Sequence, residues 1–347
     1  MPACAIVSFR LGDHDGVSTT ARIWQQILGK IGFSTYTVAG DGDVDHLLPG
    51  LAAGSEEPLS PEELQSVLAE SQLTLVENMA SIPLNLSATR VLLSVLRGRQ
   101  AIMHHHDPSW QRAHLGHIAE LPAHDPFWQH VVINDFTKHQ MLARGIQAVR
   151  IYNPFDINPW PGDRKATREM LGVAEGELLV THPVRAIQRK NILGAVILAE
   201  KLGGTYWLVG PAEDGYGPTL EVILQSAECR VIHNQGEATA SLSESDIYAA
   251  SDVVVYPSWW EGFGNPPVES AIHRKPAIVS DYPIAEELRD LGFQWAYPWE
   301  TEAVKTFLAN PDTELLEENF QVAKRHLSIE AVKPQIAQLL KTMGWQI

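Results

Sequence analysis

Short apolar runs alternate with amphipathic stretches of helical length along almost the entire chain. Leu73–Glu77, for example, is a strand-like run rich in apolar residues, and Asn85–Arg97 after it carries apolar residues at helical spacing. Neighbouring parallel strands are joined by a long crossover, which is usually a helix. The alternation therefore predicts an α/β fold whose doubly wound parallel sheets are covered by helices on both faces.

The predicted elements extend through both halves of the sequence. The predicted strands are Ala5–Phe9, Ser34–Val38, Leu73–Glu77, Ala101–Met103, Val131–Ile133, Val149–Tyr152, Leu178–His182, Thr205–Val209, Val231–His233, Val253–Tyr256, Ala277–Ser280 and Gln294–Tyr297. The predicted helices are Ser18–Gly29, Pro61–Glu70, Asn85–Arg97, Pro108–Glu120, Thr137–Leu142, Asn191–Lys201, Pro218–Ala227, Ser243–Ala250, Pro267–Arg274, Ile284–Asp290 and Ala331–Met343. We also expect Ser18 to cap the first helix.

The length of 347 residues exceeds the usual size of one hydrophobic core, so two domains are expected. The stretch 153–163 contains three prolines and a glycine, which disfavour regular structure and indicate a linker. We predict an N-terminal Rossmann-like acceptor domain at 1–158 and a C-terminal donor domain at 159–328. A C-terminal helix at 329–347 is expected to cross back to the N-terminal domain. Ligands of such folds bind at the carboxyl ends of the strands, so a cleft between facing domains is the expected active site.

The chain is strongly acidic, with a formal net charge of −16. This charge would repel a phosphate backbone, so nucleic acid is not an expected partner. The sequence contains no apolar stretch long enough to form a transmembrane segment. Its first residues resemble a β-strand rather than a signal peptide. Cys4 and Cys229 are too few and too far apart for a disulfide framework, which favours a cytoplasmic location. A homodimer is left open.

The segment from Ser258 to Glu269 carries the most informative motif. A predicted strand ends, a turn with Gly262 and Gly264 follows, and a helix is expected near Pro267. Backbone N–H groups at a helix start form an anion site, and glycines permit close approach of a ligand. Glu261 and Glu269 bracket the turn, and their carboxylates could accept hydrogen bonds from sugar hydroxyls. A solvated loop with two acids is the alternative interpretation.

A second motif places Arg185, Arg189 and Lys190 within six residues, in a loop between a predicted strand and a predicted helix. So many cations in one loop of an acidic chain indicate an anionic ligand. A solvated basic turn is the alternative.

These residues resemble the signature of the retaining GT-B glycosyltransferases, the family that includes sucrose synthases and bacterial mannosyltransferases. The resemblance implies a fold of two Rossmann-like domains and a co-substrate that is a nucleotide-linked sugar. It implies that Glu261 contacts the donor sugar, that Glu269 holds the ribose, and that Arg185 and Lys190 bind the diphosphate. The backbone around Gly262, Phe263, Gly264 and Asn265 would face the sugar and the diphosphate.

The same resemblance assigns weaker sites along the chain. Gly210 would lie near the nucleotide, and Ile232 and His233 near the base. Gly16 and Val17 would cover the phosphates, whereas Asp15 stands where the family has its first glycine. The family's histidine at a strand end near the donor sugar aligns best with His105, with His104 or His106 as the uncertainty. The run His104–His106 with Asp107 suggests metal, but adjacent residues of a strand point to opposite faces, so no metal site is expected.

The resemblance implies transfer of a hexose from a UDP- or GDP-linked donor to an acceptor hydroxyl, with retention at the anomeric carbon and without metal or another cofactor. His105, Glu261, Arg185 and Lys190 are the catalytic candidates. The acceptor is expected to be a small soluble molecule or a glycan. A sugar phosphorylase on the same scaffold, a non-catalytic protein that binds sugar nucleotides and, last, an epimerase of nucleotide-linked sugars are the alternatives.

Overall fold

The computed structural model describes residues 1–12, 16–112, 115–118, 120–233 and 242–347. It divides into two compact units. The first unit contains Met1–Phe155 together with Leu327–Ile347, and the second contains Asp156–His326. The segment that leads back into the first unit pairs with its end, because the amide of Phe155 donates to the carbonyl of Leu327. Asp15, whose role the sequence left open, lies outside the described residues.

The first unit is built on a parallel sheet. Its strands are β1 (Ala3–Ser8), β2 (Ser34–Ala39), β3 (His46–Leu47), β4 (Leu73–Glu77), β5 (Ala101–His105), β6 (Trp128–Val132) and β7 (Ala148–Arg150). The strand order is β3-β2-β1-β4-β5-β6-β7. The order changes direction between β1 and β4, and this is the point of a doubly wound sheet where ligands usually bind.

The second unit is built on a smaller parallel sheet. Its strands are β8 (Leu179–His182), β9 (Thr205–Leu208), β10 (Val231–Ile232), β11 (Val253–Tyr256) and β12 (Ala277–Val279). The strand order is β10-β9-β8-β11-β12, so the direction changes between β8 and β11. The loops that leave the carboxyl ends of these two strands are therefore neighbours.

The described helices lie between strands in the sequence, except for the last four, which follow β12. They are α1 (Gly16–Ile31), α2 (Pro61–Val67), α3 (Leu86–Leu96), α4 (Asp135–Leu142), α5 (Arg164–Leu171), α6 (Ile192–Leu202), α7 (Gly217–Gln225), α8 (Glu244–Ala250), α9 (Asn265–Ile272), α10 (Pro283–Asp290), α11 (Thr301–Ala309), α12 (Thr313–Leu327) and α13 (Ile329–Thr342).

Helices cover both faces of the first sheet, as the alternation of its strand residues requires. Ala5 and Val7 of β1 pack in a core with residues of α2 and α3. Cys4 and Ile6, which point to the opposite face, pack in a core with residues of α1 and α13. Residues on both faces of β1 are therefore buried, which explains why its sequence is continuously apolar.

The helix predicted at 108–120 is wrong, because the described residues of this range (108–112, 115–118 and 120) form no α-helix and only Ser109–Gln111 form a short 3₁₀ turn. Side chains of this turn bond to α4 instead of completing a helix. Trp110 Nε1 donates to Gln140 Oε1 at 2.7 Å, and Gln111 Nε2 donates to Thr137 Oγ1 at 2.9 Å. These long-range bonds outweigh local helix propensity.

The strand predicted at 294–297 forms only an isolated bridge between Ala296 and Ile278. Side chains take the flanking amides, since Gln294 N donates to Asn319 Oδ1 and Tyr297 N donates to Glu300 Oε2, both at 2.7 Å. At the other end of the chain, helix α1 begins at Gly16, so Ser18 is a buried residue inside its first turn rather than its cap.

Helix α13 should stabilise the first unit through its buried face. Ile336 is fully buried in the core that α13 shares with α1. We expect Ile336→Ala to lower the free energy of unfolding by about 2–5 kcal/mol, because the substitution removes buried methyl groups and leaves a cavity. Urea denaturation measures this loss. Gln338→Ala, on the exposed face of the same helix, is the control, and equal losses for both variants would contradict the packing.

Candidate functional site

Glu261 lies in the loop between β11 and α9 and is 8% exposed. Its Oε1 accepts a hydrogen bond from Lys190 Nζ at 2.6 Å, and its Oε2 accepts one from Arg189 Nη1. Burial acts to raise the pKa of Glu261, but the charges of Lys190 and Arg189 outweigh it and hold the pKa at about 2. Glu261 is therefore a buried, ionised carboxylate held by two cations.

The loop after β8 delivers these two cations. It ends in a 3₁₀ turn, Gln188–Lys190, and Asn191 after it adopts a left-handed conformation with φ of 53° and caps α6. Asn191 Nδ2 donates to the carbonyl of Pro257 at 3.0 Å, and the amide of Trp259 donates to the carbonyl of Arg189 at 2.9 Å. These bonds fasten the loops of the two adjacent strands to each other.

Arg185 lies in the same loop but has a different partner. Its Nη1 forms a salt bridge of 2.6 Å with Glu213, and both side chains are more than a third exposed. Arg189, rather than Arg185, thus joins Lys190 on Glu261. Sequence reasoning missed this role, although adjacent Arg189 and Lys190 were a signal for it. The pairing of Arg185 with Lys190 on a diphosphate stays a prediction.

Glu269 lies in α9 in a contrasting environment. Its Oε2 accepts a hydrogen bond from Tyr248 Oη at 2.9 Å, and Tyr248 Oη lies 3.2 Å from Tyr256 Oη. Burial, reinforced by the charge of Glu244, raises the pKa of Glu269 well above its ordinary value. The pKa values of the two motif glutamates are therefore shifted in opposite directions. Glu261 suits an environment of charged groups, and Glu269 suits neutral hydroxyl groups.

The glycine turn of the motif requires glycine at Gly264, which caps α9 with φ of 103°. A Cβ there would lie 2.8 Å from Tyr282 Oη. Phe263 is buried and Gly262 precedes it in the turn. Helix α9 begins at Asn265, two residues before the predicted Pro267, so the motif itself forms the first turn.

Gly210 and His233 follow β9 and β10 at the carboxyl edge of the second sheet. A Cβ on Gly210 would lie 2.5 Å from the carbonyl oxygen of Val184, so this turn needs glycine to approach the basic loop. His233 Nε2 lies 3.1 Å from the carbonyl oxygen of Gly210. Ile232 is buried within β10. Of the two residues proposed near a base, His233 therefore borders the Gly210 turn, whereas Ile232 lies within the strand before it.

At the carboxyl edge of the first sheet, Gly16 and Val17 form the first turn of α1. His105 is the last residue of β5, but its fully buried ring offers no open nitrogen. Its Nδ1 lies 2.7 Å from Ser81 Oγ and its Nε2 lies 2.9 Å from His130 Nδ1. Burial and then the neighbouring His130 lower the pKa of His105. Contact between His105 and a sugar would require breaking one of these bonds.

The other two histidines meet the carboxylate of Glu77 on the opposite face of β5. Within the described parts of the chain, Glu77, His104 and His106 form a group whose potential metal ligand atoms lie within 4.8 Å of one another. His104 Nε2 is buried without a hydrogen-bond partner. Metal-bound imidazoles usually donate from their second nitrogen, so ligation through Nδ1 would leave a buried N–H unsatisfied. Hydrogen bonds between the three side chains account for the cluster as it stands.

Part of the chain is similar to a known protein family. Residues 195–311 match the protein family described as "Glycosyl transferases group 1". The chain is 24% identical to mannosylglucosylglycerate synthase of Thermotoga maritima, and the alignment covers 95% of this chain and 97% of the relative. Residues 195–311, which contain Glu261 and Glu269, are therefore similar to the glycosyltransferase group 1 family.

Two solved structures share the fold. Sucrose-phosphate synthase from Thermosynechococcus elongatus superposes with a TM-score of 0.75 at 17% identity, covering 99% of both chains. HepE from Anabaena, in complex with UDP and glucose, gives a TM-score of 0.66 at 18% identity, covering 97% of this chain and 99% of its own. The predicted α/β fold of the GT-B type is confirmed. Among the helices of the described ranges, none is long and apolar enough to cross a bilayer.

Lys190 and Arg185, the two cations predicted to bind a diphosphate, should contribute differently to the free energy of unfolding. We expect Lys190→Ala to lower the free energy of unfolding by about 3 kcal/mol, because a buried carboxylate loses a partner. Arg185→Ala removes an exposed ion pair and should change it by less than about 1 kcal/mol. Urea denaturation of the two variants tests this difference. Comparable losses would show that Glu261 does not depend on Lys190.

Proposed function

We propose that this chain is a retaining glycosyltransferase that moves a hexose from a UDP- or GDP-linked donor to a hydroxyl group of a small acceptor. The buried Glu261, held by Lys190 and Arg189 beside the start of α9, carries this proposal. A fixed carboxylate suits the hydroxyls of a sugar, and adjacent cations suit the phosphates of a nucleotide. The match of residues 195–311 to a glycosyltransferase domain supports the assignment.

The relatives and neighbours support the donor and acceptor classes. HepE has been solved with UDP-glucose, which supports a nucleotide-linked sugar as the donor. The relative from Thermotoga maritima is a synthase of mannosylglucosylglycerate. We therefore propose a small, polar acceptor such as a sugar joined to an organic acid. The net charge of −16 disfavours a nucleic acid as partner, and both this and a cytoplasmic location stay predictions.

The contacts of Glu261 favour a mechanism without a covalent enzyme intermediate. Its carboxylate is engaged by Lys190 and Arg189, which makes it a poor nucleophile. In the proposed reaction, the bond from the anomeric carbon to the diphosphate breaks and the acceptor oxygen attacks from the same face. The acceptor proton passes to the departing phosphate. Lys190 and Arg185 would offset the charge that develops on the leaving nucleotide, which removes the need for a metal.

Binding of the donor gives the first test. We expect UDP, GDP or one of their sugars to raise Tm by about 2–6 °C at concentrations near 100 times Kd, because a ligand of the native state stabilises it by mass action. Glu269→Ala should reduce this shift, since it removes the side chain proposed to bind the ribose. Glu317→Ala, which removes an exposed carboxylate paired with Arg274, should not. A screen without any nucleotide-dependent shift would exclude the proposal.

Turnover gives the second test, using the donor that binds best. We expect the product to retain the anomeric configuration of the donor by NMR, because attack and departure share one face. We also expect EDTA to leave the rate largely unchanged, since side chains neutralise the leaving group. An inverted product, or full dependence on added metal, would contradict the mechanism. Release of sugar 1-phosphate from a disaccharide and phosphate, without nucleotide, would identify a phosphorylase.

A further inference from the structure

An exposed pair of aromatic rings lies at the carboxyl edge of the second sheet. Ala296 forms a parallel bridge with Ile278 of β12, so the chain after Ala296 leaves the sheet at the same edge as β12. Tyr297 and Trp299 follow directly, and their rings stack with centroids 4.6 Å apart and planes inclined by 10°. Trp299 is 65% exposed. Because one face of its indole is covered by Tyr297, most of this exposure belongs to the other face.

The inner side of the pair rests on Arg289 of α10. Its guanidinium carbon lies 3.9 Å from the centre of the Tyr297 ring, a distance typical of a cation–π contact. Two groups this close to one ring would overlap unless they lay on opposite faces, so Tyr297 is sandwiched between Arg289 and Trp299. Arg289 Nη2 donates to the carbonyl of Val279 at 2.8 Å, and its Nη1 donates to Glu286 Oε1 at 2.7 Å. The three-layer stack is therefore tied to the last residue of β12.

A closed turn fixes the backbone of the same segment. The amide of Glu300 donates to the carbonyl of Tyr297 at 3.0 Å, and the amide of Tyr297 donates to Glu300 Oε2 at 2.7 Å. The turn contains Pro298, whose φ is restricted by its own ring. An exposed side chain usually loses rotamer freedom when a ligand binds, which weakens binding. The stack and the turn hold Trp299 in place beforehand, so less of this freedom remains to be lost.

The charges around the stack indicate which kind of ligand it accepts. Arg289 and Glu286 form an ion pair, so their charges offset each other. Asp281 and Glu300 are exposed and form no ion pair within the described ranges. Asp281 lies close enough to act on Tyr297, since burial raises the pKa of Tyr297 and the charges of Glu286 and Asp281 add to this against Arg289. Excess negative charge repels phosphates and carboxylates, whereas carboxylates accept hydrogen bonds from neutral hydroxyl groups.

We propose that Trp299 is the platform of a carbohydrate-binding site for a neutral pyranose, in a segment other than the loop that carries Glu261. A pyranose with equatorial hydroxyl groups has a flat face of C–H groups, which suits the negative face of an indole. Its hydroxyl groups can donate to carboxylates and can accept from Trp299 Nε1, for which the described residues provide no hydrogen-bond partner. This site needs no nucleotide, so it goes beyond the proposed function and does not depend on it.

Binding can be followed at single tryptophans in protein labelled with 5-fluorotryptophan at its ten tryptophans. In ¹⁹F NMR spectra, Trp299→Phe identifies the signal of Trp299, and Trp160→Phe identifies that of Trp160. Methyl β-D-glucopyranoside, added without nucleotide, should shift the Trp299 signal saturably with a Kd of about 1–20 mM, because a single sugar ring offers little contact area.

Trp160 is the internal control for this titration. It is 89% exposed and has no stacked ring among the described residues, so its signal should not saturate. The absence of a saturable shift at Trp299 up to about 100 mM sugar would overturn the inference. An equal response at Trp160 would also overturn it, because the sugar would then bind any exposed indole. A Trp299 signal that moves with protein concentration instead of sugar would identify a self-association surface and exclude the sugar site.

A ligand that differs only in charge tests the role of the carboxylates. Methyl β-D-glucuronide has the same ring with a carboxylate at C6, and we expect it to bind at least about threefold more weakly than the glucoside at low salt. Asp281→Asn should reduce this difference, since it removes one of the repelling charges without changing the size of the side chain. Equal binding of the two sugars to the wild-type protein would contradict a site selective for neutral sugars.

Discussion

The burial of ionised carboxylates is the constraint on which the candidate site depends. A charge removed from water is tolerated only with close partners of opposite charge or strong hydrogen-bond donors. Glu261 meets this condition with Lys190 and Arg189, and Glu77 meets it with two imidazoles. Each set of partners lies at the end of a neighbouring strand. If the loops at these ends moved apart, the buried carboxylate would lose its partners in an apolar surrounding, at a high cost in free energy. The rigidity of the site is therefore electrostatic in origin.

Parallel topology is what brings these partners together. In the second unit, β8 and β11 are adjacent, and Thr181 pairs with Val254 in the parallel register although the two residues are far apart in sequence. In the first unit, β4 and β5 pair directly, and Glu77 stands beside His104 in the register. Because parallel strands end at the same edge of a sheet, side chains that are distant in sequence meet there without any long loop.

Much of this organisation could be predicted from the sequence. Leu73–Glu77 and Val253–Tyr256 have the predicted bounds because both are short runs rich in apolar residues between turn residues. The motif around Glu261 could be found because its glycines and acids are close in sequence. The enclosure of His105 between Ser81 and His130 could not, since a shift of one residue in a strand reverses the face on which a side chain lies. The role of Arg189, which joins Lys190 on Glu261, could not be predicted either, because it depends on a 3₁₀ turn that hydrophobic periodicity does not predict.

The return of α13 to the first unit has a consequence for biosynthesis. Residues 156–326 are synthesised between the two parts of that unit. Until α13 emerges from the ribosome, the face of β1 that carries Cys4 and Ile6 lacks part of its apolar cover. The second unit, whose residues are contiguous, can complete its core first. The nascent N-terminal unit must therefore wait in an incompletely covered form, at a stage when chaperones that bind exposed apolar surface would act on it.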